Sequence, residues 1–420
     1  LLTDHYELTM VEAALASGAA QQHCVFEVFG RSLPPGRRYG VVGGTGRLLD
    51  ALERYRFGGA ELEALRGGSA LDDRTLDWLA GYRFSGDIDG HAEGEVYFPN
   101  TPILTVTGTF AECVVLETLV LSVLNHDSAI ASAAARMVCA AGDRPVLEMG
   151  SRRTHEEAAV AAARAAYVAG FAATSNLEAG RRYGIPTTGT AAHAFTLAHA
   201  TEREAFAAQV ASLGPGTTLL VDTYDVTEGV RTAVEVAGPE LGAIRLDSGD
   251  LVALAGEVRA QLDGLGATKT KIVVTSDLDE HAIAALAAAP VDAYGVGTSL
   301  VTGSGAPTAG LVYKLVEREG VPVEKNSVRK VSRGGHKHVS RRLENGIAVA
   351  DIVRIASGAM DARAARDERP LHLPLVRSGG RVDDGSLAAA RERKTRSLRE
   401  LPRAALQLSR GEPALEVLFQ

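Results

Sequence analysis

Cysteine is scarce in this chain: Cys24, Cys113 and Cys139 are the only three in 420 residues, odd in number and far apart. That pattern excludes a disulfide framework and a cysteine-rich zinc site, and the mostly apolar surroundings predict reduced, buried thiols. Charge of one sign is not in excess either. With 44 Lys and Arg against 52 Asp and Glu, net charge −8, the chain has no global attraction for nucleic acid or a membrane surface, so any anion site has to be local. Long apolar runs are missing too. The best candidate, around 129–141, contains Arg136, whereas a membrane span needs roughly 18 uninterrupted apolar residues. Near the start, Asp4, His5 and Glu7 stand where a secretory segment places a basic stretch before an apolar one. These absences predict a cytoplasmic protein with neither nucleic acid nor membrane as partner. The closing LEVLFQ at 415–420 resembles the remnant of a protease-cleavable tag and is set aside from fold reasoning.

What is present is a repeated grammar. From Pro145 onward, short apolar runs end in a polar or glycine stop and are followed by alanine-rich segments with helical spacing. The runs are 145–150, 171–175, 186–190, 218–223, 243–247, 271–276, 293–298 and 312–316. Strands alternating with helices imply a parallel sheet, and eight units predict an irregular, TIM-like (β/α) barrel. The rival is an open doubly wound sheet. The barrel is preferred because polar residues terminate nearly every run, whereas an open sheet gathers its ligand groups at one switch point. Before 145 the texture changes: VFEVF, GEVYFPN and ILTVTG read as strands among glycine turns, followed by a helix from about Glu112 to Ala140. The expected organisation is an α+β lobe over 1–140, the barrel over 141–320, and a segment over 321–414 that carries a basic loop and returns to complete the first lobe.

A parallel barrel brings all strand carboxyl ends to one face, so the stops define the candidate site. Gly295 and Gly297 permit close backbone approach, and Thr298 opens a helix whose amides suit a phosphate; the plainer reading is a glycine turn with a hydroxyl cap. Arg245 lies in a strand, where a buried guanidinium needs an anion: a substrate, or a carboxylate such as Glu148 or Asp222. Asp247 and Asp250 follow it and suit a divalent cation or a developing positive charge, unless one merely caps the next helix. Asp277 and Glu280, three apart, read as a helix-capping pair. Arg152 and Arg153 follow the first run and suit a phosphate or carboxylate, or else pair with Glu156 and Glu157 in solvent. His193, just past Thr190, can serve as base, proton donor or phosphate acceptor. His336 and His338 alternate in the basic tail but are weak evidence for a metal. The basic segment 325–342 is either a solvated surface or, with Gly334 and Gly335, a loop suited to a compact polyanion.

These strings together resemble the nicotinate phosphoribosyltransferase family. TDHYELTM at 3–10, FEVFGRSLP at 26–34, EMGSRR at 148–153, TSN at 174–176, GTAAHAF at 189–195, IRLDSGDL at 244–251, GVGTSLVT at 295–302 and VYKLV at 312–316 fall in the family's order. The likeness runs from residue 3 to about 402. It implies that nicotinate displaces pyrophosphate from phosphoribosyl pyrophosphate to give nicotinate mononucleotide. ATP hydrolysis is coupled through a transiently phosphorylated histidine, with Mg²⁺ present. By the same matching, His193 is the phosphate acceptor and Tyr6 stacks on the pyridine ring from the partner subunit of a homodimer. Thr190 and Arg245 hold nicotinate, with Arg152 and Asn176 in the same pocket, and Thr298 holds the phosphoribosyl group. Arg31 and the loop from Lys325 to Lys337 surround the pyrophosphate.

Asn176 stands where nicotinamide-using relatives carry an aspartate, which favours the acid, because a carboxylate there would repel nicotinate. Gly334-Gly335 departs from a more usual proline-glycine. Three alternatives stay open: a nicotinamide or quinolinate phosphoribosyltransferase; a Schiff-base aldolase, for which Lys271 is at the wrong strand end and only Lys314 remains; and a non-catalytic nucleotide-binding protein.

Overall fold

The computed structural model describes residues 2–68, 71–325, 333–356 and 367–420. The chain divides into two units, one comprising Leu1–Ser132 with Thr308–Gln420, the other Ala133–Pro307.

In the discontinuous unit, strand His23–Gly30 is the spine. Seven of its eight residues are buried, as a strand covered on both faces requires, so it reads as an almost continuous apolar run. It pairs antiparallel with Leu104–Thr109 on one side and Leu311–Arg318 on the other, inside a seven-stranded sheet. Phe26 stacks on Tyr313 with ring centroids 4.9 Å apart, and Val11, Cys113, Ile88 and Val106 fill the same core. A second sheet orders Glu368–Pro370, Lys337–Glu344, Ile347–Ile355 and Glu416–Phe419. The LEVLFQ segment set aside above therefore supplies an edge strand, parallel to Ile347–Ile355.

The other unit is a parallel sheet of six strands in the order Ala173–Thr174, Val146–Glu148, Ala293–Val296, Lys271–Val274, Ala243–Leu246, Thr218–Leu220. Alanine makes the helix-on-sheet packing close: in Glu156–Val168, Ala159, Ala161, Ala162, Ala163, Ala165 and Ala166 are all buried.

This is a parallel half-barrel, and the eight-strand expectation is corrected at two places. The run at 186–190 contributes only a single bridge, Thr187 to Thr174, because Pro186 lacks an amide proton and PTTGT offers no large apolar side chain to anchor a strand. The run at 312–316 belongs to the other unit's sheet, where Tyr313 opposes Val28. Its alternation of buried Tyr313 with partly exposed Val312 and Lys314 is that of a half-buried antiparallel strand.

Helix Glu117–Ala141 together with the short helix Phe110–Val114 before it is long and apolar enough, by length and composition, to cross a membrane, but 67% of its most apolar window is buried inside the protein. Its polar residues are those of a core helix. Asp127 accepts from Arg47 Nη1 at 2.7 and 2.9 Å, and Arg136 donates to Glu280 at 3.0 Å. Cys24 and Cys113 are buried free thiols, and Cys139 is partly exposed.

Candidate active site

Parallel strands deliver their carboxyl ends to one side of the sheet, and there the half-barrel holds a cavity of about 240 Å³. Arg152 and Arg153 reach it from the turn after Val146–Glu148, Gly297 and Thr298 from the end of Ala293–Val296, and Arg245 and Asp247 from Ala243–Leu246. Met149, Thr275, Ser276 and Asp277 complete the wall.

Arg245 organises the floor. Its Nε donates to Thr275 Oγ1 at 3.0 Å, its Nη1 to Thr190 Oγ1 at 3.1 Å and to the Ala191 carbonyl at 3.3 Å, and its Nη2 lies 3.2 Å from Asp247 Oδ1. The internal carboxylate partner of Arg245 is thus Asp247, not Glu148 or Asp222. Thr275 also donates to Asp247, closing a triangle of guanidinium, hydroxyl and carboxylate. Asp222 Oδ2 accepts from the Asp247 amide at 2.7 Å and from Ser248 Oγ at 2.9 Å, which fixes the turn beyond the strand.

His193 opens helix His193–Leu197. Its Nδ1 lies 3.1 Å from Thr223 Oγ1, and its Nε2 lies 3.9 Å from Asp247 Oδ2. The ring is 41% exposed, so Nε2 is within reach of a small donor molecule.

Glycine at 295 is a packing requirement: a Cβ would stand 2.6 Å from Thr275 Cγ2 and 2.8 Å from Met149 Sδ. Ser276 holds a φ of +111°, costly for a residue with a side chain, at the point where Thr275 and Asp277 turn into the cavity.

Asp277 was read from sequence as a helix cap, and the structure corrects this. Asp279 caps that helix, accepting from the His281 and Ala282 amides at 2.9 and 2.8 Å, while Glu280 bonds Arg136 and Ser304. Asp277 is left to line the cavity. Its signal was its position at a strand end, the same signal that marked Asp247. Asp250 is a cap: it accepts from the Ala253 amide at 3.3 Å ahead of helix Leu251–Gly264. Among the described residues no three His, Cys, Asp or Glu side chains cluster as metal ligands. Asn176 is engaged on both sides, its Oδ1 capping Leu177–Tyr183 at the Ala179 amide and its Nδ2 donating to Ser151 Oγ.

The remaining sequence-selected residues lie in the discontinuous unit. Tyr6 is 45% exposed on helix His5–Ser17, its phenol pushed up by burial and by Glu117 and Glu7. Arg31 follows the spine strand, its guanidinium 5.8 Å from the Phe29 ring centroid. Lys325 is exposed just after Val321–Pro322. Lys337 is 2% exposed, and its ammonium donates to Glu27 Oε2 at 2.9 Å and to the carbonyls of Arg333 and Gly335 at 2.7 and 2.8 Å. Three donors are all an ammonium has. Burial pushes the Glu27 carboxyl up to about 7 even with Lys337 beside it. Of the basic segment 325–342, residues 326–332, including Arg329 and Lys330, lie outside the described residues; Arg341 is buried between Asp351 and Glu95.

A half-barrel with an arginine, carboxylates and a reachable histidine at its strand ends defines an α/β enzyme acting on anionic substrates. Residues 1–125 match the nicotinate phosphoribosyltransferase N-terminal domain and residues 145–351 match the nicotinate phosphoribosyltransferase family. The chain is 62% identical to nicotinate phosphoribosyltransferase pncB1 of Mycobacterium tuberculosis over 99% of its own length and 94% of that protein. It is 39% identical to the Bacillus subtilis nicotinate phosphoribosyltransferase over 89% of its length and 79% of the relative. The crystal structure of human nicotinic acid phosphoribosyltransferase superposes with a TM-score of 0.86 at 25% identity, covering 100% of this chain and 98% of the human one. The chain belongs to the nicotinate phosphoribosyltransferase family.

Proposed function

We propose that this enzyme transfers the phosphoribosyl group of phosphoribosyl pyrophosphate to nicotinate in NAD biosynthesis, in a cytoplasmic setting. The pyridine nitrogen bonds to the anomeric carbon, the bond from that carbon to the pyrophosphate oxygen breaks, and nicotinate mononucleotide and pyrophosphate leave. The observation that carries this reading is Arg245, held by Thr190, Thr275 and Asp247 with its guanidinium at the cavity. A guanidinium so fixed is preorganised for a carboxylate. Positive charge developing on the ribose is opposed by Asp247 and Asp277, and the phosphate end by Arg152, Arg153 and the Gly297–Thr298 turn, Gly295 permitting the close packing beneath.

Mg²⁺ needs only one or two protein carboxylates when substrate phosphates supply the other oxygens. Asp247, partly exposed at the cavity, fits that role; Asp250, which does not line the cavity and caps a helix, does not. The ion would neutralise charge on the leaving pyrophosphate.

ATP coupling runs through His193. A proton on Nδ1, donated to Thr223, leaves the Nε2 lone pair free to take the γ-phosphoryl group of ATP, releasing ADP. Tyr6 of the partner subunit stacks on the pyridine in a homodimer, and Arg31 and Lys325 are the cations that the family resemblance assigns to the pyrophosphate. Lys337, its donors engaged, supports the neighbouring backbone instead. The deciding experiment measures nicotinate mononucleotide with and without ATP, with nicotinate, nicotinamide and quinolinate in competition, and looks for acid-labile phosphate on His193. Product from nicotinamide or quinolinate in preference would overturn the substrate, and absence of phosphohistidine would overturn the coupling.

A further inference from the structure

Arg152 and Arg153 line the cavity from a short 3₁₀ turn, Ser151–Arg153, and neither has an ion-pair partner among the described residues. Long exposed side chains on a loose turn would lose much of their binding in being ordered, so what fixes the turn matters.

The turn is held by a closed ring of hydrogen bonds. Ser151 Oγ accepts from Asn176 Nδ2 at 2.9 Å, and the Asn176 backbone amide donates to Thr174 Oγ1 at 2.9 Å. Thr174 donates onward to Glu148 Oε2, and Glu148 Oε1 accepts from the Gly150 amide, one residue before Ser151. The amide of Asn176 cannot rotate out of the ring, because its Oδ1 is fixed by the Ala179 amide at 2.8 Å. Glu148 is fully buried with no cation beside it among the described residues, and burial pushes its carboxyl up, so these two donors are what hold it. Gly150 closes the packing: a Cβ there would lie 2.3 Å from Val301 Cγ1. The ring ties together the ends of two adjacent strands, Val146–Glu148 and Ala173–Thr174.

We propose that Glu148, Thr174, Asn176 and Ser151 are positioning residues that set the Arg152–Arg153 turn against its anionic substrate. Asn176 thereby acts on the substrate through Ser151 and the arginines, not by touching it. The inference deepens the phosphoribosyl-transfer reading and rests on it.

The test is a double-mutant cycle with both substrates varied in turn. Ser151→Ala is expected to raise KM for nicotinate or for phosphoribosyl pyrophosphate about fivefold, the worth of one lost hydrogen bond, with kcat and Tm held. In an Arg152→Ala, Arg153→Ala background the same change is expected to have no further effect on KM, because the groups it positions are gone. Thr174→Ser keeps the hydroxyl and should behave as wild type, whereas Thr174→Val should follow Ser151→Ala. Unchanged KM values in Ser151→Ala, or effects that multiply in the arginine-free background, overturn the proposal while the wild type remains active. A wild type that makes no nicotinate mononucleotide sinks the reaction assignment, and this role with it.

Discussion

His193, at the start of helix His193–Leu197, and Asp247, just past strand Ala243–Leu246, face each other with Nε2 3.9 Å from Oδ2, while Thr223 occupies the other ring nitrogen. Phosphorylating Nε2 would set a doubly charged group against the Asp247 carboxylate, the same carboxylate that holds Arg245. The two would repel, and Arg245 would be drawn between them. On the proposed coupling, this would give ATP a way to alter the Arg245 end of the site without binding there.

His193→Ala is therefore expected to retain basal transfer but to lose both ATP stimulation and acid-labile phosphate. Thr223→Val should slow phosphorylation about fivefold, since the tautomer with Nε2 unprotonated loses its partner, worth about 1 kcal/mol. Rapid-quench labelling with γ-labelled ATP measures both. Full ATP stimulation in His193→Ala would remove the histidine from the coupling.

Arg245 makes contacts in a fixed fork, which a lysine cannot reproduce. Arg245→Lys is expected to cost roughly 2–4 kcal/mol in kcat/KM for nicotinate, or about 30- to 1000-fold. KM for phosphoribosyl pyrophosphate should change much less. Equal losses for both substrates would place Arg245 elsewhere in the reaction.

Much of this site was legible because strand ends in a parallel sheet announce themselves: an apolar run stopping at Asp247, Thr298 or Gly150 places each residue on one rim before any coordinates exist. The closure of the sheet was not legible. VYKLV and KIVVT look alike as strings, and only pairing with FEVFG separates an antiparallel strand of one unit from a parallel strand of the other. Asp277 was hidden by a second carboxylate two residues on, since either Asp277 or Asp279 could cap the helix, and only the bonds from the His281 and Ala282 amides to Asp279 decide between them. Lys337 was hidden for the opposite reason: nothing in a basic run says which cation is buried against Glu27.

The discontinuous unit should be acid-labile. Burial lowers His372 to about 4, and His91, which faces it across paired strands and is fully buried, is lowered as well. An unfolded histidine titrates near 6.5, so between about 6.5 and 4 the unfolded chain holds the extra proton and stability falls as pH falls; for His372 alone that is about 3 kcal/mol. Above pH 6.5 the contribution is complete. His372→Gln keeps a donor for the Pro102 carbonyl, now bonded at 2.7 Å, without titrating, so its Tm should depend less on pH across that window. An unchanged slope would mean that other groups control acid unfolding.

Gly295→Ala forces a methyl against Thr275 Cγ2 and Met149 Sδ. Overpacking of this kind costs about 1–3 kcal/mol, and the side chain displaced here is one that Arg245 uses. A fall in Tm accompanied by a rise in KM for nicotinate is expected from calorimetry and steady-state kinetics. A fall in Tm alone would show that Thr275 moves without carrying Arg245 with it.

Asp247 and Asp250 look equivalent in the sequence but have separate work. Asp250→Ala removes a helix cap and should lower stability by about 1 kcal/mol, with Asp250→Ser restoring it, because either oxygen can accept from the Ala253 amide. Neither change should alter the Mg²⁺ concentration giving half-maximal rate. Asp247→Asn keeps the volume but removes the charge that pairs with Arg245 at 3.2 Å and faces His193. It should lower kcat by about two orders of magnitude or more, as expected when an electrostatic group is removed from the reacting centre. It should also raise the Mg²⁺ requirement. If Asp250→Ala shifts that requirement and Asp247→Asn does not, the metal is held beyond the cap, on the far side of Ser248, and the assignment of Asp247 to the ion is wrong.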